Sequence, residues 1–353
     1  MSVLFPTLFV LFAPALATTG PAGVSSTTPA LVDFWLVPIA IIIAIPFVAG
    51  SYVVEVMCFI AIFCALAVGM GALIEQAGMF SLAHPSWFGL GGYVSAILTI
   101  RGVGPPWLGS IIGAVFVGFL SYAIGAPLLR LKGYYLACAT FGLLLIVEIG
   151  LGQLGSLTGG HEGLMGIPPL SIGGFVLETD VHYYYLSWVL CLACLWFLHN
   201  LMGSRMGRAI KSFSDSEVAA RSMGVDVPRY KLKVFMLTAV MASLMGSVYT
   251  FHLRFTQPGI FGFSFLVELV TMVIVGGGKT LYGPLLGAFA VMWLRELIHM
   301  YLSGLLPRMS AQVDALFFGV LIIVILIFMP GGLSGWMDRL LYIGRRTSGR
   351  DSK

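Results

Sequence analysis

A few groups in this 353-residue chain have types and spacing that invite chemistry. Cys191 and Cys194 form a C-x-x-C, the spacing of a redox pair or half a metal site. They sit inside an apolar run without further Cys or His at ligand spacing, so they read as small apolar residues. Gly277-Gly278-Lys279-Thr280 has the ending of a phosphate-binding loop. The full pattern needs a Gly five residues before Gly278, where the chain has Val273. ATP binding is therefore not expected here, and the chain shows no energy source of its own. Glu55, Glu75, Glu148 and Glu268 lie in or near apolar stretches, where ionisable groups are expensive. Glu75 and Glu268 read as interfacial. Glu148, in TFGLLLIVEIG, is embedded, as a proton relay or a hydrogen bond between helices. His84 precedes Pro85, as a path-lining group or the partner of a freed carbonyl. No Ser/His/Asp set or carboxylate pair has a catalytic spacing, so neither catalytic residues nor a metal site are expected.

These groups are positioned by a lipid-embedded chain. The sequence is 59% hydrophobic and only 10% charged, with mean hydropathy +0.99. A soluble domain needs about a quarter charged residues, so lipid must cover this surface. The fold class is an all-α polytopic transmembrane bundle of about ten spans. They are expected near 31–49, 53–74, 80–100, 107–129, 133–154, 183–203, 233–252, 262–278, 282–301 and 312–329. Residues 1–17 form an eleventh span or a signal-like segment. The expected organisation is an N-terminal apolar segment and linker over 1–30, a membrane domain over 31–335, and a basic tail over 336–353.

The most polar stretch is the island 204–233, with seven of the nineteen Lys and Arg. Excess positive charge in a loop places it in the cytoplasm. Arg130 and Lys132 and the tail fall on the same side, and acidic 155–182 on the other. With net charge +4, the basic residues report topology rather than nucleic-acid binding. Within the island, Ser214 and Glu217 fit a capping box, with Asp215 in the first turn. Gly224 and Pro228 supply the stop, so a helix is expected over 215–223. Too short to stand alone in water, it needs Val218, Ala219 and Met223 covered by this chain's own helix ends or by a partner.

Three stretches break helical periodicity: 78–92, 155–174 and 276–284. Gly and Pro at such density interrupt helices. Irregular backbone at membrane depth survives only where protein or a water-filled cavity covers it. Candidate path residues are Ser81, His84, Glu148, Thr158, Gly276 and Gly277. The alternative for these stretches is plain helix packing and turns. Gly clusters precede an apolar run in both the first and third stretches, hinting at an internal repeat.

Five segments occur in an order that resembles one family. They are GMFSLAHPSWFGLGGYVSAIL, KGYYLACATFGLLLIVEI, LTGGHEGLMGIPP, SRMGRAIKSFSDSEVAARSMGVDVPRYKLKVF and MVIVGGGKTLYGPLLGA. They cover about 70–330 and are similar to the LivM-type permease subunits of branched-chain amino acid ABC importers. Lys279-Thr280, Ser212–Asp215, Ala83 and Leu151 depart from the family pattern.

The resemblance implies a second, LivH-like permease, two cytoplasmic ATPases and an extracytoplasmic substrate-binding protein. ATP and magnesium would be held by the ATPases, with no cofactor in this chain. It implies a prokaryotic inner membrane, with 204–233 and the C-terminus cytoplasmic. It makes the short helix a coupling helix, on which Glu217, Ala219, Ala220 and Gly224 match E-x-A-A-x-x-x-G. Ser214 and Asp215 complete that candidate docking site. Relatives that carry urea, amides or aromatic acids leave the substrate open. An ion-coupled secondary transporter using Glu148 or Glu268, and a membrane-embedded enzyme, are the competing classes.

Overall fold

The computed structural model describes residues 42–46, 50–172, 175–277, 281–302, 320 and 332. The spans expected near 31–49 and 312–329, the segment 1–30 and the tail 336–353 fall largely or wholly outside the described residues. So do Gly278, Lys279 and Thr280.

The expected polytopic helical architecture is present. The helices are α1 (Ser51–Gly71), α2 (His84–Ile100), α3 (Pro106–Leu128), α4 (Tyr134–Gln153), α5 (Asp180–Gly203), α6 (Arg205–Asp215), α7 (Glu217–Ser222), α8 (Val227–Leu253), α9 (Phe263–Gly276) and α10 (Gly283–Leu302). Among the described residues, six helical stretches are long and apolar enough to cross a membrane. They are α1 with the π-helical turn Ala72–Gln76, then α3, α4, α5, α8, and α9 with the short 3₁₀ turn before it.

The apolar stripe of each helix decides its place. α1 is hydrophobic all round, and Met57 to Leu66 are buried except for the partly covered Phe59. Such a helix belongs in the centre of a bundle. α5, α8, α9 and α10 pack around it. α3, α4 and α5 instead keep large apolar side chains outside. Val115, Phe119, Ile146, Val189 and Trp196 are each more than 60% exposed. That surface suits lipid or a partner's apolar face.

Between helices in lipid, packing replaces the hydrophobic effect, and small residues allow backbones to meet. α2, α3 and α8 carry this furthest. The buried face of α3 is Gly109, Gly113, Ala114, Val117, Gly118, Ser121 and Gly125. A methyl group at Gly113 would lie 3.0 Å from Ser95 Oγ and 3.2 Å from the Gly91 carbonyl. One at Gly246 would fall on the Phe88 carbonyl oxygen. The Ser95 and Ser247 hydroxyls share a hydrogen bond of 2.6 Å across this contact. Along α3 and α8, Gly118 meets Val240 and Gly125 meets Phe235 and Leu232, so the two helices run antiparallel. The end of α3 and the start of α8 therefore share one face of the bundle.

The Gly-rich stretches do interrupt helices. The first leaves α1 through the π turn, passes Gly78 at φ +61°, and re-enters a helix only at His84. Helix α2 is thus 17 residues long and starts later than the expected 80–100 span. The second stretch and the two residues just after it hold the only strands among the described residues besides Phe255–Thr256. β1 (Leu164–Met165) pairs antiparallel with β4 (Phe255–Thr256), and β2 (Ser171–Ile172) with β3 (Phe175–Val176). Because β4 follows α8, this cap lies at the face opposite the island.

Gly246→Ala should destabilise the protein by ~1–3 kcal/mol, because the new methyl has no space beside the Phe88 carbonyl. Gly142→Ala, where a methyl meets nothing within 4 Å, should be neutral or gain up to ~1 kcal/mol of helix propensity. Thermal unfolding in detergent distinguishes them; equal effects would contradict the close-contact account.

Candidate functional site

The island folds as two helices rather than one. Ser204 caps α6, its hydroxyl accepting from the amides of Met206 at 3.1 Å and Gly207 at 3.5 Å. Gly207, Ile210 and Phe213 are buried while Arg205, Arg208 and Lys211 are exposed. This is an amphipathic helix of interfacial type. Its signal in the sequence was the i, i+3 spacing of those three buried residues.

The expected cap moves by two residues. Ser214 and Asp215 continue α6 and are exposed. The first non-helical residue is Ser216, at φ −157° and ψ 112°, the extended conformation typical of an N-cap. Its hydroxyl accepts from the Ala219 amide at 3.4 Å. The Ser214–Glu217 capping box is therefore not formed. Helix α7 runs over Glu217–Ser222 instead of 215–223.

The expected stop is present. Gly224 has φ +82°; its amide donates to the Arg221 carbonyl at 3.0 Å, and the Val225 amide to the Ala220 carbonyl at 3.1 Å. That pair of bonds is a Schellman motif. Pro228 lies in the first turn of α8, whose Asp226 cap accepts from the Arg229 amide at 3.4 Å.

Six residues cannot hold a helix alone. Ala220 is buried, and Glu217 pairs with the buried Lys231 of α8. The Lys231 ammonium also lies 5.9 Å from the centre of the Phe213 ring on α6. Arg221 and Lys132 stand 3.7 and 4.0 Å from the same carboxylate. Partial burial pushes the Glu217 carboxyl up. The Lys231 hydrogen bond and the three cations outweigh it and hold the group below its ordinary value. Of this network the sequence offered only Arg221, one helical turn from Glu217. Lys231 and Lys132 are distant in the chain and were missed. Val218 and Met223 are 80% and 73% exposed on the outer face of α7, with Ala219 beside them.

The structure joins the island to the first helix break. A methyl at Gly78 would lie 3.5 Å from Ser214 Oγ, so α6 sits beneath the end of α1. Just beyond, Ser81 and His84 are buried together with Ser86. None of their side-chain polar atoms has a hydrogen-bond partner among the described residues. The His84 ring rests against Gly69 of α1. The break is tied to α4 by Thr140, whose hydroxyl accepts from the Leu82 amide at 2.9 Å.

The other path candidates lie apart from these. Glu148, half-buried on α4, abuts Gly262 at the start of α9. The Thr158 hydroxyl donates to the Leu151 and Leu154 carbonyls at 2.6 and 2.9 Å, closing the end of α4. Gly276 and Gly277, the latter at φ +54°, end α9 against Gly283 and Gly332. Glu268 is buried on α9, with Arg295 of α10 at 2.7 Å. Cys191 and Cys194 are buried on α5.

Ser216→Ala should loosen α7 by about 1 kcal/mol, whereas Ser214→Ala should leave its cap intact. Amide exchange over 217–225 reads the difference. Because the folded Glu217 value is lowered, its contribution is full at neutral pH. It declines once pH passes below the ordinary carboxylate value and is lost as pH falls through the folded value. Glu217→Gln should raise exchange about ten-fold at pH 7 and remove that acid dependence.

A family model for the permease component of branched-chain amino acid transport systems matches residues 52–326. The high-affinity branched-chain amino acid transport system permease protein LivM of Escherichia coli is 25% identical over 324 residues. That alignment covers 85% of this chain and 74% of the relative. A LivH permease of Salmonella typhimurium is 25% identical, covering 76% of this chain and 90% of its own length. The D-allose transport system permease AlsC of Escherichia coli is 29% identical across 60% of this chain and 63% of its own. No solved structure matches. With a family model that spans most of the chain, this protein belongs to the family of branched-chain amino acid transport system permease components.

Proposed function

We propose that the chain is the LivM-type permease subunit of an ABC importer and forms half of a translocation path. The carrying observation is the outer face of α7. Two large apolar side chains, Val218 and Met223, stand in the open on a helix that is capped at both ends and clamped from behind. Exposed apolar groups on a rigid short helix suit a partner's groove. The occupant is one of two ATPases, which bind ATP and magnesium. Ser214, Asp215, Glu217, Ala219, Ala220 and Gly224 serve that docking site in different ways. Ala219 takes part in the outer face, whereas Glu217, Ala220 and Gly224 hold the helix. Ser214 relays to the break at Gly78.

The path runs by the break, with Ser81 and His84 as its polar lining and Glu148, Thr158, Gly276 and Gly277 as further candidates. Buried polar groups without protein partners suit a place where water or a polar solute passes. The substrate is a branched-chain amino acid or a related small solute, supplied by an extracytoplasmic binding protein. The similarity to a D-allose system permease leaves room for an unlike solute. A LivH-like permease supplies the other half. About ten spans fill a domain over 31–335 in the inner membrane, with residues 1–17 as an eleventh span or a signal-like segment. Segment 1–30 precedes it, and the basic tail 336–353 shares the cytoplasm with 204–233.

Val218→Asp and Met223→Asp should each lower ATP-dependent uptake at least about ten-fold in vesicles holding the full complex, and reduce recovery of the ATPase with the permease. Wild-type uptake by both variants would remove α7 from coupling. Uptake driven by a proton gradient without ATP would point to the secondary-transporter class.

A further inference from the structure

Beside α7 lies a cavity of about 540 Å³ between the end of α3 and the start of α8. Its charged lining is Arg130, Lys132, Glu217, Arg221, Arg229 and Lys231. Asp226 takes Arg229 at 2.8 Å, and Glu217 is committed to Lys231. Five cations less these two carboxylates leave three positive charges uncompensated. Lys132 and Arg221 reach Glu217 only at 4.0 and 3.7 Å. No carboxylate lies within 4 Å of Arg130 among the described residues. The remaining wall is apolar, including Ala126 of α3 and Leu129 at its C-cap. It continues the lipid-facing stripe of that helix, on which Phe119 and Tyr122 are exposed.

A cationic hollow at a helix end, open to a lipid-facing stripe, fits a ligand with an anionic head and an apolar tail. From this geometry we infer that the cavity binds the phosphate headgroup of an anionic phospholipid, whose acyl chains run along α3. Arg130, Lys132 and Arg221 hold the phosphate, guanidinium groups suiting its oxygens best. Glu217 and Arg221 line this cavity while Val218 and Met223 do not, so a lipid in the cavity and a protein on those two side chains can be bound together. The inference needs only a membrane and the cavity, not the transport reading.

Native mass spectrometry of the delipidated full chain, titrated with phosphatidylglycerol, phosphatidylcholine or sodium phosphate, tests it. The wild type should retain phosphatidylglycerol at least about ten-fold better than phosphatidylcholine. Arg130→Gln/Lys132→Gln should weaken phosphatidylglycerol binding by about five-fold for each cation removed, with phosphatidylcholine retention and circular dichroism unchanged. Arg205→Gln/Arg208→Gln removes the same charge outside the cavity and should keep the preference. No preference in the wild type, an undiminished preference in the first variant, or an equal loss in the second would overturn the site. Displacement of the lipid by millimolar sodium phosphate would assign the cavity to a free anion and overturn the lipid reading.

Discussion

The contact on which the described structure most depends is the ion pair between Lys231 and Glu217. Lys231 is nearly fully buried at the first turns of α8, and a buried ammonium without a counter-charge is strongly destabilising. Glu217 supplies that charge from a helix of six residues that could not exist unsupported. The pair serves both elements: it lets a cation sit under the membrane surface and fixes the polar island to the start of a 27-residue helix. Ser214 against Gly78 adds a second attachment, to the end of α1. The island is thus seated on the bundle at two points.

What composition and periodicity expose is the part governed by local rules. The membrane setting, the helical class, the breaks near Gly78 and Gly277 and the stop at Gly224 follow from apolar length and from Gly where φ is positive. Arg130 and Lys132 share a face with the island, as the count of spans between them required. Long-range choices were hidden. Ser214 and Ser216 are equally good caps by type. The choice fell to Ser216 because burial of Ile210 and Phe213 extends α6 through Asp215. Likewise nothing local marks Arg295, on another helix, as the partner of Glu268.

The two halves of the candidate site differ in kind. Around α7 the helix ends are capped and Glu217 is paired with Lys231, and the large side chains that stand open on its outer face are apolar. Around His84 the reverse holds: the apolar groups are packed, and polar atoms lack protein partners among the described residues. A surface that docks protein and a surface visited by a polar solute should show that contrast. Among the described residues, the contact of Ser214 on α6 with Gly78 at the end of α1 links the two.

The backbone contact of α2, α3 and α8 also limits how this molecule can move. A slide of one residue along a helix axis is about 1.5 Å, and it would bring a side chain to where Gly246, Gly91 or Gly113 now gives way to a neighbouring backbone. These helices therefore have no neighbouring register to slip into, and they shift as one block. Freedom lies at seams lined by flat rings, where Phe265 of α9 lies 5.4 Å from Phe63 of α1 and 5.2 Å from Phe88 of α2. Rings can glide while keeping contact, whereas glycines locked on carbonyls cannot. Within the described bundle, α9 therefore meets its neighbours through an aromatic seam that tolerates small displacements better than the glycine contacts of α2, α3 and α8 do.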